Sequence, residues 1–482
     1  MKEGCFIRTF KSSLFIVSWL IFGIQDLTAQ KQFTLRECVN MALDNNLQMV
    51  AIENNLELAE ISLRQSQHAR YPSLSGSINL GNSYGRTIDP TTNSFINQSF
   101  LSNGLSLNSG VLLFNGFRIN NTIAQSRLSA LASKKDIDQL ERDITLSVAT
   151  AFLNVLFAKE NITINENQLA QSIAQRELMQ KMIRVGNSPE NAIFDLDAQV
   201  AQNEQNLVTA RNNLELTKLT LRQLMRLDSS IPLDISVAEI QVEKDAYTLL
   251  SIEELTESAF QNQPSLEASK LRIHVAEKGE KIATGGFYPT LSAGANLLTN
   301  FSNRFQQVGG FEDREISQDI IFNGQPVTIG IIQSFPVFES IPYFNQLSNN
   351  LSYGIGFNLS IPIYSNYSVR ADKNRAVVGT NNAKNNYEIL KDNVKVTVAQ
   401  SYAEAKAAKA RFEAAEKTFQ AQSNVYTNAF KRFETGNLNS YDLVRFKTLY
   451  ENAQTNVLIA KYDLFFRIKV LDFYMGKPIN IE

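Results

Sequence analysis

Two stretches of this chain make the same sharp break. Residues 182–193 read MIRVGNSPENAI, and residues 432–443 read RFETGNLNSYDL. Each sets Gly-Asn between two long polar–apolar runs of helical period. They are one position of a tandem duplication. Thr34-Leu35-Arg36-Glu37 recurs as Ser251-Ile252-Glu253-Glu254, and Tyr71-Pro72-Ser73-Leu74-Ser75 as Tyr288-Pro289-Thr290-Leu291-Ser292, at an offset of 217. Further on, Phe114 matches Tyr364, Ala149 matches Ala399, and Gly186-Asn187 matches Gly436-Asn437, at an offset of 250. The second copy therefore carries 33 extra residues between its Tyr-Pro motif and Tyr364. A duplicated chain has to build one architecture twice, with each unit completing its neighbour's core.

Each repeat reads helix, strand, strand, long helix, break, helix. The first repeat is expected over residues 30–228, with helices 35–70, 118–184 and 189–228 and strands at about 73–84 and 103–114. The second is expected over 251–476, with helices 251–286, 368–434 and 439–475 and strands at about 290–301 and 350–364. A linker, 229–250, joins them, and a short tail, 477–482, follows. Tyr71-Pro72 and Tyr288-Pro289 stop the first helices, because a residue before proline avoids the helical region. Ile137, Leu140, Ile144, Val148, Ala151 and Val155 step by three or four, which makes one apolar stripe. Ser188 is a candidate N-cap with Pro189 at the first helical position. Leu207, Ala210, Leu214, Leu221 and Leu224 keep heptad spacing. At about 1.5 Å per residue the long helix spans roughly 100 Å, and the two shorter ones roughly 114 Å end to end. The short pair is thus long enough to stack beside the long helix. A free coiled coil would explain the stripes but leaves the strands without a purpose.

The strands alternate with period two. Leu74, Ile78, Leu80 and Tyr84 share one face, and Ser75, Ser77, Asn79, Gly81 and Ser83 the other. Leu105, Leu107, Val111 and Leu113 alternate with Gly104, Ser106, Asn108 and Gly110. Leu291, Ala293, Ala295, Leu297 and Phe301 repeat the pattern, as do Tyr353, Ile355, Phe357, Leu359, Ile361 and Ile363. An apolar face backed by small polar residues over about ten positions is the pattern of an outer-membrane barrel strand. The alternative is a soluble sheet covered by helices; near-absence of charge on both faces weighs against it. Four strands cannot close a barrel, which takes about eight, and open edges are not tolerated at membrane depth. Oligomerisation is therefore expected, and a trimer supplies twelve strands.

The amino terminus reads as an export signal over 1–29. Lys2, Arg8 and Lys11 precede an apolar run, 14–24, too short to span a bilayer, and Leu27-Thr28-Ala29 resembles a cleavage site. Cys5 leaves with it, so Cys38 is alone and no disulfide framework is expected. With 46 basic and 48 acidic residues the chain lacks the basic excess of a nucleic-acid surface. His68 and His274 have no partners at metal-ligand spacing. Gly81-Asn-Ser-Tyr-Gly85 lacks the Lys-Ser/Thr of a phosphate loop, and no nucleophile elbow or zinc motif occurs. The chain is expected to be no enzyme and to need no cofactor.

The duplicated plan, the two Tyr-Pro switches (Tyr71, Pro72, Tyr288, Pro289), the strand endings VLLF at 111–114 and IPIY at 361–364, and the tip from Arg432 together resemble the TolC-like outer-membrane efflux proteins. The resemblance covers essentially the whole chain after the signal. It implies a mixed α and β membrane protein: a homotrimer with one 12-stranded barrel in outer-membrane lipid and a helical barrel in the periplasm. It implies a passive duct fed by a periplasmic adaptor and an inner-membrane pump. The adaptor would meet the tips, Gly186 and Asn187 in one repeat and Arg432, Gly436 and Asn437 in the other. The linker 229–250 and the tail would join an equatorial belt. In such proteins, acids just past the tip narrow the entrance. Asp442 fits that place, but Arg445 stands where a second acid is expected; the first repeat has Ala192 and Asp195 there. Asp442 and Arg445 are spaced to pair as i and i+3, and a plain helix-start acid explains Asp442 equally well. Protein secretion of type I remains an alternative cargo, and an adhesive coiled-coil protein with a barrel anchor an alternative class. The long loop, 302–349, is rich in Phe (Phe305, Phe311, Phe322, Phe335, Phe338, Phe344) and reads as a plug or as a binding loop.

Overall fold

The computed structural model describes residues 32–88, 93–97, 99–236 and 251–477. The expected signal segment, linker residues 237–250 and the end of the tail lie outside the described residues. Two compact units emerge, one of residues 1–56, 133–269 and 386–482, the other of 57–132 and 270–385.

The first repeat runs β1 (Gln32–Phe33), α1 (Leu35–Asn45), α2 (Leu47–His68), β2 (Ser73–Ser83), β3 (Arg86–Ile88), β4 (Phe95–Asn97), β5 (Phe100–Asn115), α3 (Arg118–Arg184), α4 (Ala192–Met225) and β6 (Asp234–Ile235). The second runs α5 (Ile252–Asn262), α6 (Pro264–Thr284), β7 (Thr290–Ser302), β8 (Gln306–Phe322), β9 (Gln325–Ser340), α7 (Tyr343–Asn349), β10 (Ser352–Ser360), α8 (Ser368–Glu434) and α9 (Ser440–Tyr474).

Several expected boundaries are corrected. The helix read over 35–70 is two, broken at Asn46, whose backbone is extended. Asn46 Oδ1 accepts the Gln48 N–H at 2.7 Å and so restarts the helix. The helix read over 251–286 breaks at the equivalent Gln263, ahead of Pro264, which bars the helical region to the residue before it. Helix α4 starts at Ala192, not Pro189. Pro189, Glu190 and Asn191 lie in a tight turn whose carbonyls accept from Ala192, Ile193 and Phe194, and Ser188 is no N-cap. Helix α4 ends at Met225 rather than residue 228, and β10 stops at Ser360, short of Pro362, rather than at 364. The loop read over 302–349 is mostly the β8–β9 hairpin followed by α7.

In the helical unit, both repeats open on the same device. Thr34 and Ser251 accept the N–H of Glu37 and Glu254, and those carboxylates accept the Thr34 and Ser251 N–H, each at 2.9 Å. The predicted stripe of α3 forms the main core: Ile144, Val148, Ala151 and Val155 are buried with Cys38, Ala42, Leu221 and Met225. The two-residue strands β1 and β6 pair in parallel and set Phe33 and Ile235 on that core. Lys159 pairs with Asp234 there and donates to Ile235 O at 3.0 Å. Burial pushes the Cys38 thiol up to about 12.

In the other unit, four strands form an antiparallel sheet in the order β10-β7-β5-β2. Its register unites the faces read from sequence. Ile78 stands opposite Leu105, Leu105 opposite Thr299, Leu107 opposite Leu297, and Leu297 opposite Tyr353. The other face aligns Ser75, Asn108, Asn296 and Gly354. A bulge between Leu112 and Phe114 takes Leu113 out of the alternation. Most of the apolar face is bare, with Ile78 76%, Phe357 72% and Tyr353 82% exposed, while α7 covers one end, where Thr299 Oγ1 donates to Leu347 O at 2.6 Å and Phe301 packs on Tyr343. Strands β2 and β10 each leave one edge unpaired. No helix among the described residues is long and apolar enough to cross a membrane.

Candidate functional site

The two tips are built alike. Helix α3 ends with Asn187 N–H donating to Met182 O and Gly186 N–H to Ile183 O, both 2.9 Å. Helix α8 ends with Asn437 donating to Arg432 O at 2.8 Å and Gly436 to Phe433 O at 2.9 Å. This is the six-to-one and five-to-two pair of a Schellman stop, and it needs a left-handed residue. Gly186 and Gly436 supply it, with φ of +77° and +76°. A Cβ on either would meet nothing within 4 Å, so both tips are open to solvent.

Behind the tips the repeats lock together. Met179, Leu196, Phe433 and Leu443 form one buried cluster, drawn from all four helix ends. Asp195 accepts a hydrogen bond from Ser440 Oγ at 2.7 Å, so this gate candidate joins the first turn of α4 to the first residue of α9. Asn439 caps α9 by accepting the Asp442 N–H at 2.8 Å. The expected Asp442–Arg445 pair does not form among the described residues; Arg445 points out to solvent and the helix start already accommodates the acid. The structure therefore brings Asp195 to α9 but leaves Arg445 apart.

A buried polar network lies farther along the same helices, and sequence reasoning missed it. Lys447 of α9 is completely buried. Its ammonium donates to Ser172 Oγ at 2.5 Å and lies 3.5 Å from Glu451 Oε1. Glu451 accepts from Gln199 and Asn203, each at 3.2 Å, and Asn203 also donates to Ser172 Oγ at 2.6 Å. Gln168 donates to Gln454 at 3.0 Å. Burial lowers the Lys447 pKa and raises that of Glu451, so each is pushed toward its neutral form. The signal was three polar pairs, Gln168/Ser172, Gln199/Asn203 and Lys447/Glu451, each at i,i+4 where an apolar stripe should run. Spacing alone reads Lys447/Glu451 as a surface ion pair.

The helix-to-strand switches lie in the sheet unit. Tyr71 N–H donates to His68 O at 2.9 Å, and a 3-10 turn, Gly285–Phe287, precedes Tyr288 and Pro289. A Cβ on Gly116 (φ +65°) would come within 2.4 Å of Gly285 O and 2.8 Å of Tyr288 Cβ. The backbones touch there, and only glycine fits. His68 bonds Arg64 O and His274 bonds Glu277, and the described residues hold no cluster fit for a metal.

The chain is 20% identical over 417 residues to toxin and drug export protein A of Aggregatibacter actinomycetemcomitans, covering 86% of this chain and 82% of that one. It is 24% identical over 282 residues to the outer membrane protein TolC of Vibrio cholerae, 58% of this chain and 61% of that one. Its fold is similar to that of CusC (TM-score 0.73, 15% identity, 92% of each chain) and of VceC from Vibrio cholerae (TM-score 0.71, 14% identity, 92% and 97%). The pattern of the family described as outer membrane efflux protein matches residues 38–225 and 255–476, both repeats nearly whole. With that match over the duplicated helices and the bare-faced sheet, this chain belongs to the outer membrane efflux protein family.

Proposed function

We propose that three copies of this outer-membrane efflux channel close one 12-stranded barrel in the lipid and continue it as a helical tunnel in the periplasm. The observation that carries the reading is the four-stranded sheet, with one mainly apolar and largely bare face, a small polar face and two edges unpaired among the described residues. In hydrocarbon each unpaired backbone group costs several kcal/mol, so such a sheet is stable there only when closed. Twelve strands close it, with the Ser, Asn and Gly face lining water. The open tips at Gly186, Asn187, Arg432, Gly436 and Asn437 are the surface for a periplasmic adaptor, which links the duct to an inner-membrane pump. The pump supplies the energy, and the duct conducts passively. Asp195 and Asp442 line the entrance as its acids. Purified protein in planar bilayers should give steady single-channel currents. An adhesin with a barrel anchor gives none, and that result would sink the reading.

A further inference from the structure

The two repeats superpose in register. Moving the pair Ile78–Leu105 by 217 and 250 positions lands on Ala295–Ile355, which is a pair in the sheet. The helix ends obey the same offsets. Asn45 Nδ2 donates to Met225 O at 3.3 Å, and Asn262 Nδ2 donates to Met475 O at 3.3 Å. Inside one chain the first repeat meets the second at defined contacts. In the sheet, Leu107 faces Leu297 and Asn108 faces Asn296. In the helical unit, Arg142 of α3 donates to the carbonyls of Asn262 and Phe473, at the ends of α5 and α9.

We infer that the second repeat of one copy meets the first repeat of the next by the same contacts carried through the offsets: β10 pairs with the neighbouring β2, Phe357 opposite Leu80 and Asn358 opposite Asn79, and Asp392 of α8 pairs with Arg226. This rests on the trimer proposed above.

A charge exchange between the repeats supports it. The α8 position equivalent to Arg142 is Asp392, and the position equivalent to Gly476 is Arg226. In the second repeat the left-handed position itself carries no charge: Gly476 (φ +77°) fills it, and α3 sends in the cation Arg142. In the first repeat Arg226 itself takes the left-handed position, φ +49°, an uncommon place for a residue with a side chain. Its guanidinium donates to Asn45 O at 3.1 Å, the carbonyl equivalent to the one Arg142 covers. That end already has its cation and calls for an anion, and α8 carries one. Asp392 is exposed and has neither hydrogen bond nor ion pair among the described residues. Two exposed apolar residues fit the same joint. Gln139, which accepts from Gln263 and Ser265, becomes Ile389, and Glu267, which pairs with Lys135, becomes Val50. Carried through the offsets, Ile389 meets Asn46 and Gln48, and Val50 meets Asn385, so both exposed apolar side chains gain cover between copies. In the sheet the residues brought together, Leu80 and Phe357, are each 72% exposed in the single chain.

Two measurements on full-length protein in detergent test this. The first is oxidative crosslinking of L80C/F357C, with L80C/I355C as the slipped register; buried Cys38 does not compete. Covalent trimers from the first pair and few from the second are expected. The second is charge reversal. D392R and R226D should each lower the temperature at which the trimer dissociates, and the swap D392R/R226D should restore most of the loss. If light scattering shows trimers, yet the slipped pair crosslinks better or the swap is as weak as both single changes combined, the inference fails and the trimer stands. If no trimer forms, the trimer reading fails and takes the inference with it.

Discussion

Replacing Lys447 with Met tests the buried network. Met keeps the aliphatic length and removes the charge. Glu451 then keeps its two amide donors, Gln199 and Asn203, but loses its cation inside the helix packing. Stripping one partner from a buried ion pair costs about 3–5 kcal/mol. Glu451→Leu, which leaves Lys447 buried with only the neutral Ser172 hydroxyl and Gln168 carbonyl as acceptors, falls in the same range. The double variant K447M/E451L removes both charges and is expected near wild type, or above it by about 1–4 kcal/mol. The coupling between the two positions is then on the order of 6 kcal/mol or more, far outside the scatter of additive sites. The pH dependence has a definite sign. Burial raises the Glu451 pKa, and losing Lys447 raises it further. A group whose pKa is raised on folding contributes stability below its unfolded value and loses it as pH rises through the folded value. The K447M deficit should therefore be small near pH 4 and full at neutral pH. Urea unfolding followed by far-UV circular dichroism, at both pH values, reads this out. A K447M variant as stable as wild type at pH 7, or a double variant as weak as the sum of the singles, refutes the claim that the two charges hold each other.

The glycines give two contrasting expectations. Gly436→Ala should cost only about 1–2 kcal/mol, from the left-handed backbone alone, because the space around it is open. Gly436→Trp should leave trimers in the outer membrane while abolishing export, as measured by drug accumulation in cells; wild-type export would remove the tip as the adaptor surface. Gly116→Ala should be worse, by about 2–5 kcal/mol, since its Cβ meets the Gly285 carbonyl in addition to the strain. Thermal unfolding of the two Ala variants side by side checks the order.

Much was legible in sequence because it is local or periodic. The offsets of 217 and 250, the helix stripes and the strand alternation all depend on neighbours within a turn or a pleat. The strand faces were readable before the register was known, since one apolar face has to align across a sheet. The tip glycines were readable because a Schellman stop is made by six consecutive residues. The break at Gln263-Pro264 is equally local, since the proline marks it, whereas the equivalent break at Asn46, without a proline, carries the weaker signal.

The sequence by itself determined that this chain is built twice, that its strands suit lipid on one side and water on the other, and where its helices turn. Only the tertiary structure decided which side chains meet. Lys447 and Glu451 read as a solvated pair until α3 and α4, more than 240 residues earlier in the chain, close over them. Asp195 reads as an entrance acid with no partner until the fold sets Ser440 of α9 beside its carboxylate. Arg142 reads as a surface charge until the ends of α5 and α9 arrive beside it. The physical reason is common to all three. Period and propensity are set by residues a few positions apart, whereas the burial of a charge depends on residues hundreds of positions away.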